Sequence, residues 1–285
     1  MKSNFTARKQ SSIINLRTFH NWTKRELLNQ TCSTLISETD QPITLLDLSC
    51  GKGGDMNKWY DNKIMHVVGF DIDSASIDEG RSRYAQLINN LKRKNVKQLP
   101  VYEFYVMDLS DSNNLVKIAK VLHNKKFNIV SCQFAIHYFF KNESSLMTFM
   151  TIVNTYINSP GFFIATTVDG LSVVEKLHNK SSIGNSIYSI EKKYNEPILS
   201  PYGNTYLVGL GEESDTEHYF ANKKSEEYIV DIEELKKVCE KMNLLYVGSI
   251  DFETWYKSFG KNIMSQNEIE YSFLNFSFVF KKTVV

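Results

Sequence analysis

A glycine-rich string, LLDLSCGKGGD at residues 45–55, is the part of the sequence whose chemistry is easiest to interpret. It follows a short apolar run, and a glycine turn between a strand and a helix lets the backbone approach a ligand closely. Such a turn also points helix-terminal amides at the ligand. The string has neither the GxGxxG spacing of a dinucleotide site nor the GK[ST] of a Walker loop. The spacing therefore disfavours an NAD site and a Walker loop.

Two acids end the next two apolar runs. Asp71 follows the second run, where a carboxylate can accept hydrogen bonds from both ribose hydroxyls of a nucleoside. Asp108 follows the third run, where it can accept from an adenine amino group. The order of glycine turn, ribose acid and adenine acid is that of enzymes that use S-adenosylmethionine. The alternative is that these acids only cap helices and strand ends.

The elements around these residues alternate between strands and helices. Strands are predicted at 43–50, 66–72, 101–108, 127–136, 161–169, 244–252 and 273–280. Helices are predicted at 12–32, 74–94, 113–123, 142–156, 170–178 and 231–243. This alternation predicts an α/β fold, a mostly parallel seven-stranded sheet with helices on both faces. Between about 180 and 228 the pattern is lost, which indicates an insertion or lid.

Composition limits the classes of protein that fit. The chain has 285 residues, of which 42% are hydrophobic and 23% charged, which suits one large domain with a full core. No apolar run approaches the roughly 18 residues of a membrane span. Because no CxxC pair or secretion signal is present, the cysteines are expected to be reduced thiols of a cytosolic or nuclear protein. They are Cys32, Cys50, Cys132 and Cys239.

Charge is distributed unevenly along the chain. The net charge of +1 argues against a broadly basic nucleic-acid coat, but residues 1–30 hold six cations and one acid. Such a block can steer a polyanion toward a site, or it can be a solubilising tail. We therefore divide the chain into a basic N-terminal arm and helix at 1–30 and a catalytic domain at 31–285.

Several strings resemble the messenger RNA cap guanine-N7 methyltransferases over roughly residues 13–282. They are FHNWTK (19–24), LDLSCGKGGDMNKW (46–59), DIDSASIDEGRSRY (71–84), SCQFAIHYFF (131–140), TTVDG (166–170), SIGNSIYSI (182–190) and VDIEEL (230–235). The resemblance implies a Rossmann-like class I methyltransferase fold. It implies transfer of a methyl group from S-adenosylmethionine to N7 of the guanosine cap, with S-adenosylhomocysteine as the product. The strings DID and TTVDG most resemble the corresponding strings in the enzymes of poxviruses and African swine fever virus. In those viruses this domain is usually the C-terminal part of a longer capping enzyme.

The resemblance also implies roles for individual residues, with no metal and no catalytic nucleophile. The implied cofactor contacts are Lys24 at the methionine carboxylate, Ser49 and Gly51 in the turn, Asp71, Asp108, Gln133 and Tyr138. The implied cap contacts are Asn21, Lys52, Lys58, Arg83, His137 and Glu234. The implied positioning residues are Phe134, His137, Tyr138 and Glu234.

The chemistry of the reaction explains why such residues suffice. The sulfonium methyl is already activated and guanine N7 has a lone pair with no proton to remove, so positioning and electrostatics can supply the catalysis. The triphosphate bridge needs cations, and the purine needs an aromatic neighbour, worth ~1–3 kcal/mol. The candidates for stacking are Phe134, Tyr138 and Phe139. A carboxylate such as Glu234 would accept from guanine N1–H and N2–H2, which adenine does not offer.

Each assignment also has a plainer interpretation. Lys52 and Lys58 fit solvated lysines on a helix face, and Arg83 can pair with an acid on its own helix, Asp78 or Glu79. His137 fits a structural histidine and Phe134 a core residue. Glu234 is one of several neighbouring acids, which include Asp231 and Glu233.

The chain departs from the family pattern in four places, one of which is TTVDG at 166–170, where the cellular enzymes have TTPNS. Ser49 stands where the family usually has glycine, and His20 where it has a second asparagine. A family tyrosine that contacts the cap falls at or near Asn275. If an aromatic contact survives there, the candidates are Tyr271, Phe273 and Phe276.

Three other functions remain open on the sequence: a methyltransferase of the same fold for a small molecule or another RNA site, a silent cap-binding module and, more distantly, a dehydrogenase. The resemblance implies the capped 5′ end of messenger RNA as partner, with triphosphatase and guanylyltransferase domains of the same capping enzyme and a stimulatory subunit as further candidates, and no membrane. The expected location is the host cytoplasm, in viral factories and the virion, or the nucleus if the protein is cellular.

Overall fold

Eleven strands are present in the computed structural model, which describes residues 11–38, 41–211 and 224–283. They are β1 Thr44–Leu48, β2 His66–Asp71, β3 Val101–Val106, β4 Phe127–Gln133, β5 Ile157–Val168, β6 Ser182–Gly184, β7 Tyr188–Lys192, β8 Thr205–Leu210, β9 Lys224–Tyr228, β10 Leu244–Asp251 and β11 Asn275–Lys282. Seven of them form one sheet in the order β10-β11-β5-β4-β1-β2-β3. The pairs among β1 to β5 are parallel, and β11 is antiparallel to both β5 and β10. The predicted mostly parallel seven-stranded sheet is confirmed.

Helices cover both faces of this sheet. They are α1 Ile14–Glu38, α2 Met56–Asp61, α3 Ser74–Arg93, α4 Leu115–Leu122, α5 Glu143–Tyr156, α6 Gly170–Leu177, α7 Ile232–Glu240, α8 Phe252–Phe259 and α9 Gln266–Ser272. Leu46 and Val130 point into a core cluster shared with α5 and α7, whereas Leu45 and Ile129 point into another shared with α1 and α2. Because β1 and β4 are buried on both faces, they read in the sequence as continuous apolar runs. No helix in the described ranges has the length and apolar character needed to cross a bilayer.

The stretch from 180 to 228, for which the sequence indicates an insertion or lid, contains regular structure of its own. It contains a second sheet, antiparallel, in the order β6-β7-β8-β9, and residues 212–223 of it lie outside the described chain. One face of this small sheet joins a core cluster with residues of α1, α6, α8 and α9, through apolar residues such as Ile190 and Val208. The other face is polar, and the strands are short, so the sequence carries only a weak alternation there. The small sheet lies beside the main sheet and supplies residues to the site.

The N-terminal helix is continuous with the rest of the fold. α1 runs through residue 30, the predicted boundary between arm and domain, and its two halves enter two different core clusters through Phe19 and Leu35. The predicted boundary is therefore corrected, because the chain shows no break there. Residues 1–10 of the predicted arm lie outside the described residues.

The sheet order fixes where a ligand can bind. β1 lies between β2 and β4, so the chain leaves β1 in one direction and returns on its other side. In open α/β sheets the crevice at such a switch point, at the carboxyl ends of the strands, is the usual ligand site. The glycine turn follows β1 at this edge, and Gln133 ends β4 beside it.

Candidate functional site

The turn after β1 is held in shape by the acid that ends β2. Asp71 accepts a hydrogen bond from the Gly51 amide, with N and Oδ2 2.7 Å apart. The amides of Ser49 and Cys50 both donate to the Phe70 carbonyl, each at 2.9 Å. Ser49 has φ of 81° and Gly51 of 49°, in the left-handed region. A serine is strained there, which explains why a glycine suits this position and marks the turn as functionally constrained.

A cavity of about 410 Å³ opens beside this turn, and we call it the acid-lined cavity. Its lining residues are Ser49, Asp71, Ile72, Met107, Asp108, Leu109, Ser110, Gln133, Phe134, Ala135, Tyr138 and Phe139. The two carboxylates stand among largely apolar walls, and Asp108 is fixed by Ser110, whose amide and hydroxyl donate to Oδ1 at 2.9 and 2.7 Å. This arrangement fits a flat apolar base with one polar edge and a ribose diol.

Phe139 contributes little to a stacking surface. Its ring lies 4.0 Å from that of Phe149, centroid to centroid, and it is only 6% exposed. It belongs to the core cluster on that face of the sheet. The expectation that Phe139 is a stacking candidate is therefore corrected.

A second cavity, of about 450 Å³, adjoins the first, and we call it the cation-lined cavity. Both cavities share Ser49, Gln133, Phe134 and Tyr138. The other charged or polar residues that line it are Arg17, His20, Asn21, Lys24, Asp47, Lys52, Asp55, Arg83, His137 and Glu227, with Tyr271 also present. Of the three aromatic candidates near Asn275, only Tyr271 lines either cavity. Asn275 itself is 1% exposed and donates to the Tyr271 and Ser272 carbonyls.

Two of the predicted phosphate contacts share one carboxylate at the rim of this cavity. Lys52 pairs with Glu79, with Nζ and Oε2 2.9 Å apart, and Arg83 pairs with the other oxygen of the same residue. Arg83 thus pairs with an acid of its own helix, as one interpretation expected, and it also lines the cation-lined cavity. Two cations against one acid leave a net positive rim that suits a polyphosphate.

Lys58 lies in a different environment from the predicted one. It is 5% exposed, and its ammonium donates to Asp55 at 2.7 Å and to Asn21 at 2.9 Å. Lys24 also pairs with Asp55, at 2.7 Å. Burial alone would raise the pKa of Asp55, but the two lysines outweigh it and lower that pKa to about 2. The expected phosphate contact of Lys58 is corrected: its ammonium points inward and braces Asp55, Asn21 and thereby Lys24.

We therefore expect the main effect of Lys58→Ala to be a lower free energy of unfolding, and not the weaker RNA binding that a phosphate contact would predict. Removing one partner of a buried ion pair costs about 3–5 kcal/mol, since the remaining charge loses its compensation. Lys24 still pairs with Asp55, so we expect the lower end, about 3 kcal/mol, in denaturant unfolding. Lys120→Ala, at an exposed position of α4, is the control and should change stability by less than about 0.5 kcal/mol. Unchanged stability with weaker RNA binding alone would contradict this placement.

A buried carboxylate that was not predicted lies next to Lys24. Asp47 is 3% exposed and lines the cation-lined cavity. Its Oδ1 has no hydrogen-bond partner among the residues that the structure describes. Burial, and then the nearby Asp55, raises the pKa of Asp47 well above its ordinary value. A buried acceptor left open at a cavity wall is suited to a cationic group of a ligand.

His20 and Phe134 both line the cation-lined cavity, and Phe134 also lines the acid-lined one. Their rings stack with centroids 5.1 Å apart and planes 11° from parallel. His20 Nε2 lies 2.9 Å from the Ser272 hydroxyl, and burial lowers the pKa of His20 to about 3. Phe134 has φ of 55°, a strained backbone for a phenylalanine. His20 is thus a neutral ring that stacks on Phe134, and the asparagine usual in the family has no ring with which to do so.

His137 and Tyr138 also line the cation-lined cavity, with their ring centroids 4.2 Å apart. His137 is 4% exposed, burial lowers its pKa, and neither ring nitrogen has a hydrogen-bond partner within the described chain. Its Nε2 lies 3.7 Å from Oε1 of Glu227, too far for a hydrogen bond. Tyr138 is 43% exposed, and its hydroxyl lies 3.1 Å from that of Ser225. A neutral imidazole and a carboxylate therefore stand side by side with unused hydrogen-bonding capacity.

The acid next to His137 in this cavity is Glu227, and the predicted Glu234 is corrected. Glu234 does not line either cavity; its Oε1 accepts from the Tyr202 hydroxyl at 2.9 Å, and its Oε2 lies 3.5 Å from Lys237. Glu227 lies on β9 and is 4% exposed. The local sequence contains several glutamates, and only the pairing of β9 with β8 turns this one inward.

Arg17 is a further residue that sequence reasoning missed. It lines the cation-lined cavity, and no ion pair joins it to an acid in the described parts of the chain. Arg17, Asn21 and Lys24 follow helical spacing along α1 and line one wall. That spacing was visible in the sequence. In the same described parts no three His, Cys, Asp or Glu side chains are grouped to hold a metal ion.

Comparison with known proteins gives one family over nearly the whole chain. The family model for the mRNA (guanine-N(7))-methyltransferase domain matches residues 1–282. The mRNA cap guanine-N(7) methyltransferase of Drosophila melanogaster is 28% identical over 88% of this chain and 57% of its own. The mRNA cap guanine-N(7) methyltransferase 1 of Arabidopsis thaliana is 30% identical over 96% of this chain and 76% of its own. A probable mRNA-capping enzyme of Acanthamoeba polyphaga mimivirus is 26% identical over 94% of this chain but only 24% of its own. The chain thus spans a little over half the length of the Drosophila relative.

Solved structures agree on the fold. An S-adenosylmethionine-dependent methyltransferase from Clostridium acetobutylicum superposes with a TM-score of 0.57 at 14% identity, over 91% of both chains. One from Listeria monocytogenes has a TM-score of 0.57 at 16% identity, over 95% of this chain and all of the other. The class I methyltransferase fold predicted from the sequence is therefore confirmed.

Proposed function

Because the chain belongs to the mRNA (guanine-N(7))-methyltransferase domain family, we propose that it methylates N7 of the guanosine cap of messenger RNA, with S-adenosylmethionine as the methyl donor. The product pair is m7GpppRNA and S-adenosylhomocysteine. One observation carries the proposal at the level of the site: two adjoining cavities meet at Gln133, Phe134 and Tyr138. One cavity presents two acids among apolar walls. The other presents cations at its rim and a buried carboxylate at its wall.

The acid-lined cavity, together with Lys24 and Asp47 of the adjoining cation-lined cavity, fits the cofactor. Asp71 would accept from the ribose hydroxyls and Asp108 from the adenine amino group, among the apolar residues around them. Lys24 would hold the methionine carboxylate, and the open oxygen of Asp47 would accept from the α-ammonium. An orphaned buried acceptor beside a lysine matches an amino-acid moiety, which carries both charges. When bound, the cofactor supplies an activated methyl group.

The residues of the cation-lined cavity orient the guanine. N7 attacks without losing a proton, so no general base is needed and rate enhancement comes from alignment. Phe134 and Tyr138 offer aromatic surfaces for the purine. Glu227 accepts from guanine N1–H and N2–H2, while neutral His137 can donate one N–H to the same edge. Adenine would leave the buried carboxylate unsatisfied, which disfavours it.

The cap phosphates fit the rim. Lys52 and Arg83 share Glu79, and Arg17 adds a third cation from α1. A triphosphate can draw both shared cations away from Glu79, because it offers several charged oxygens in place of one carboxylate. Lys58 acts indirectly, by holding Asn21 and Asp55 in place.

We also propose a viral origin close to the large cytoplasmic DNA viruses, with action in the host cytoplasm. The similarity to a mimivirus capping enzyme supports a viral origin. The strings DID and TTVDG favour an origin close to the poxviruses and African swine fever virus. On this proposal, triphosphatase and guanylyltransferase activities act before this domain, and a stimulatory subunit is a candidate partner. Gel filtration and activity with and without other capping domains would test the partnership.

The activity is tested by incubating the protein with labelled S-adenosylmethionine and three RNAs that end in GpppN, ApppN or m7GpppN. We expect label in the first RNA alone, released as 7-methylguanosine cap after nuclease digestion. The already methylated cap is the control, because its N7 has no free lone pair. Equal labelling of all three, or of none, would reject the proposal and favour a small-molecule or other RNA substrate.

A further inference from the structure

A buried tyrosine hydroxyl is bonded to the carboxylate that faces the cation-lined cavity. Tyr206 of β8 is 1% exposed, and its hydroxyl donates to Oε2 of Glu227 at 2.9 Å. The two residues lie directly opposite each other in the β8–β9 ladder. The strand pairing itself therefore places the hydroxyl against the carboxylate, as in other cross-strand pairs.

This hydrogen bond distinguishes the two oxygens of Glu227. Oε2 is held by Tyr206, whereas Oε1 lies 3.7 Å from His137 Nε2. The carboxylate is thus fixed in rotation, with one edge toward the tyrosine and one toward the cavity wall. Burial, together with the nearby Glu227 and then Tyr271, raises the pKa of Tyr206 well above its ordinary value. The hydroxyl remains a donor throughout the working pH range.

The packing around Tyr206 would suit a phenylalanine as well. Its ring lies in the cluster formed by the inner face of the small sheet with α1, α6 and α8, beside Ile190, Val208 and Leu210. An apolar ring fills that space without a hydroxyl. The polar end of the side chain is therefore tied to Glu227, not to the core.

We propose that Tyr206 is a positioning residue that sets guanine selectivity, by holding Glu227 so that its carboxylate meets the N1–H and N2–H2 edge of the cap. The inference rests on the proposed function, since it concerns the same cavity. Without the hydroxyl, Glu227 turns among several rotamers and loses a charge-assisted hydrogen bond. Selection by a carboxylate depends on that geometry, because the two guanine donors must meet it together.

The test is Tyr206→Phe, with kcat/KM measured on GpppRNA and on IpppRNA, whose inosine lacks the 2-amino donor. We expect kcat/KM for GpppRNA to fall at least about tenfold, as for other lost hydrogen bonds to a charged group. The fall on IpppRNA should be smaller, so the preference for guanosine over inosine shrinks toward one. The dissociation constant for S-adenosylhomocysteine, from calorimetry, should stay within about twofold, since Tyr206 lines neither the acid-lined nor the cation-lined cavity.

Tyr194→Phe is the matched control. Tyr194 is also buried and belongs to the same core cluster, but its hydroxyl has no hydrogen-bond partner among the described residues. We expect near wild-type selectivity from it. Three outcomes would overturn this inference and leave the proposed function standing. They are equal losses on both RNAs in Tyr206→Phe, a loss in Tyr194→Phe equal to that in Tyr206→Phe, and unchanged kinetics in Tyr206→Phe. A wild-type protein that does not methylate GpppRNA would overturn the proposed function, and this inference with it.

Discussion

Asp71→Ala is expected to raise the dissociation constant for S-adenosylmethionine by about a hundredfold or more and to abolish methyl transfer. Two charge-assisted hydrogen bonds to a ribose are lost, each worth about 1.5–3 kcal/mol, and 1.4 kcal/mol corresponds to tenfold in affinity. The structure adds a second reason. The same carboxylate accepts from the Gly51 amide at 2.7 Å and from the Asp73 amide at 2.9 Å, so it also fixes the turn after β1 and the start of α3.

Isothermal calorimetry with S-adenosylhomocysteine measures this effect directly, and the shift of the melting temperature on adding ligand measures it independently. Asp78→Ala is the matched control, because Asp78 is an exposed acid on α3 that pairs only with Arg81 among the ion pairs of the described residues. It should leave affinity within about twofold. If the Asp71 variant folds and binds the ligand as tightly as the wild type, the assignment of the acid-lined cavity to the cofactor is wrong.

The acid-lined cavity, which we propose holds the cofactor, could be predicted from the sequence because it is built from local features. A buried parallel strand is a continuous apolar run, the turn that follows needs glycine, and the acids lie at the ends of the next two strands. The order of the strands along the chain is therefore enough to bring together the residues at their carboxyl ends, which are Asp71, Asp108 and Gln133. Helices such as α2 are different, since six residues are too few to show a helical period.

The cation-lined cavity depends on contacts between distant parts of the chain, and there the sequence was less informative. Lys58 lies on α2, where a lysine suggests an exposed face, yet Asp55 and Asn21 draw it inward. Glu227 and Glu234 are both glutamates within one short acidic stretch. Which of them reaches the cavity is decided by the register of β9 against β8, and that register depends on the whole small sheet.

Those two glutamates give the sharpest comparison that the chain offers. Glu227→Gln should lower kcat/KM for GpppRNA by about a hundredfold, whereas Glu234→Gln should leave it within about twofold. In the first variant an amide NH2 meets the guanine donors, so one acceptor is replaced by a repulsive donor in a buried wall. Tyr206 can still donate to the amide oxygen, so the fold of the small sheet should be retained. In the second variant the altered side chain keeps its contact with Tyr202 at the surface of α7.

Steady-state kinetics on GpppRNA, with S-adenosylhomocysteine affinity measured in parallel, separate the effect on the cap from any effect on the cofactor. The affinity should be unchanged in both variants, because neither glutamate is among the residues proposed to hold the cofactor, which are Asp71, Asp108, Lys24 and Asp47. The reverse order, a large loss in Glu234→Gln and none in Glu227→Gln, would mean that the cap binds outside the cation-lined cavity. Equal losses would mean that both acids act through the common stretch of chain between β9 and α7. Only a loss confined to Glu227 agrees with a guanine edge that is recognised from the small sheet, and it would make that sheet the element that determines which base is methylated.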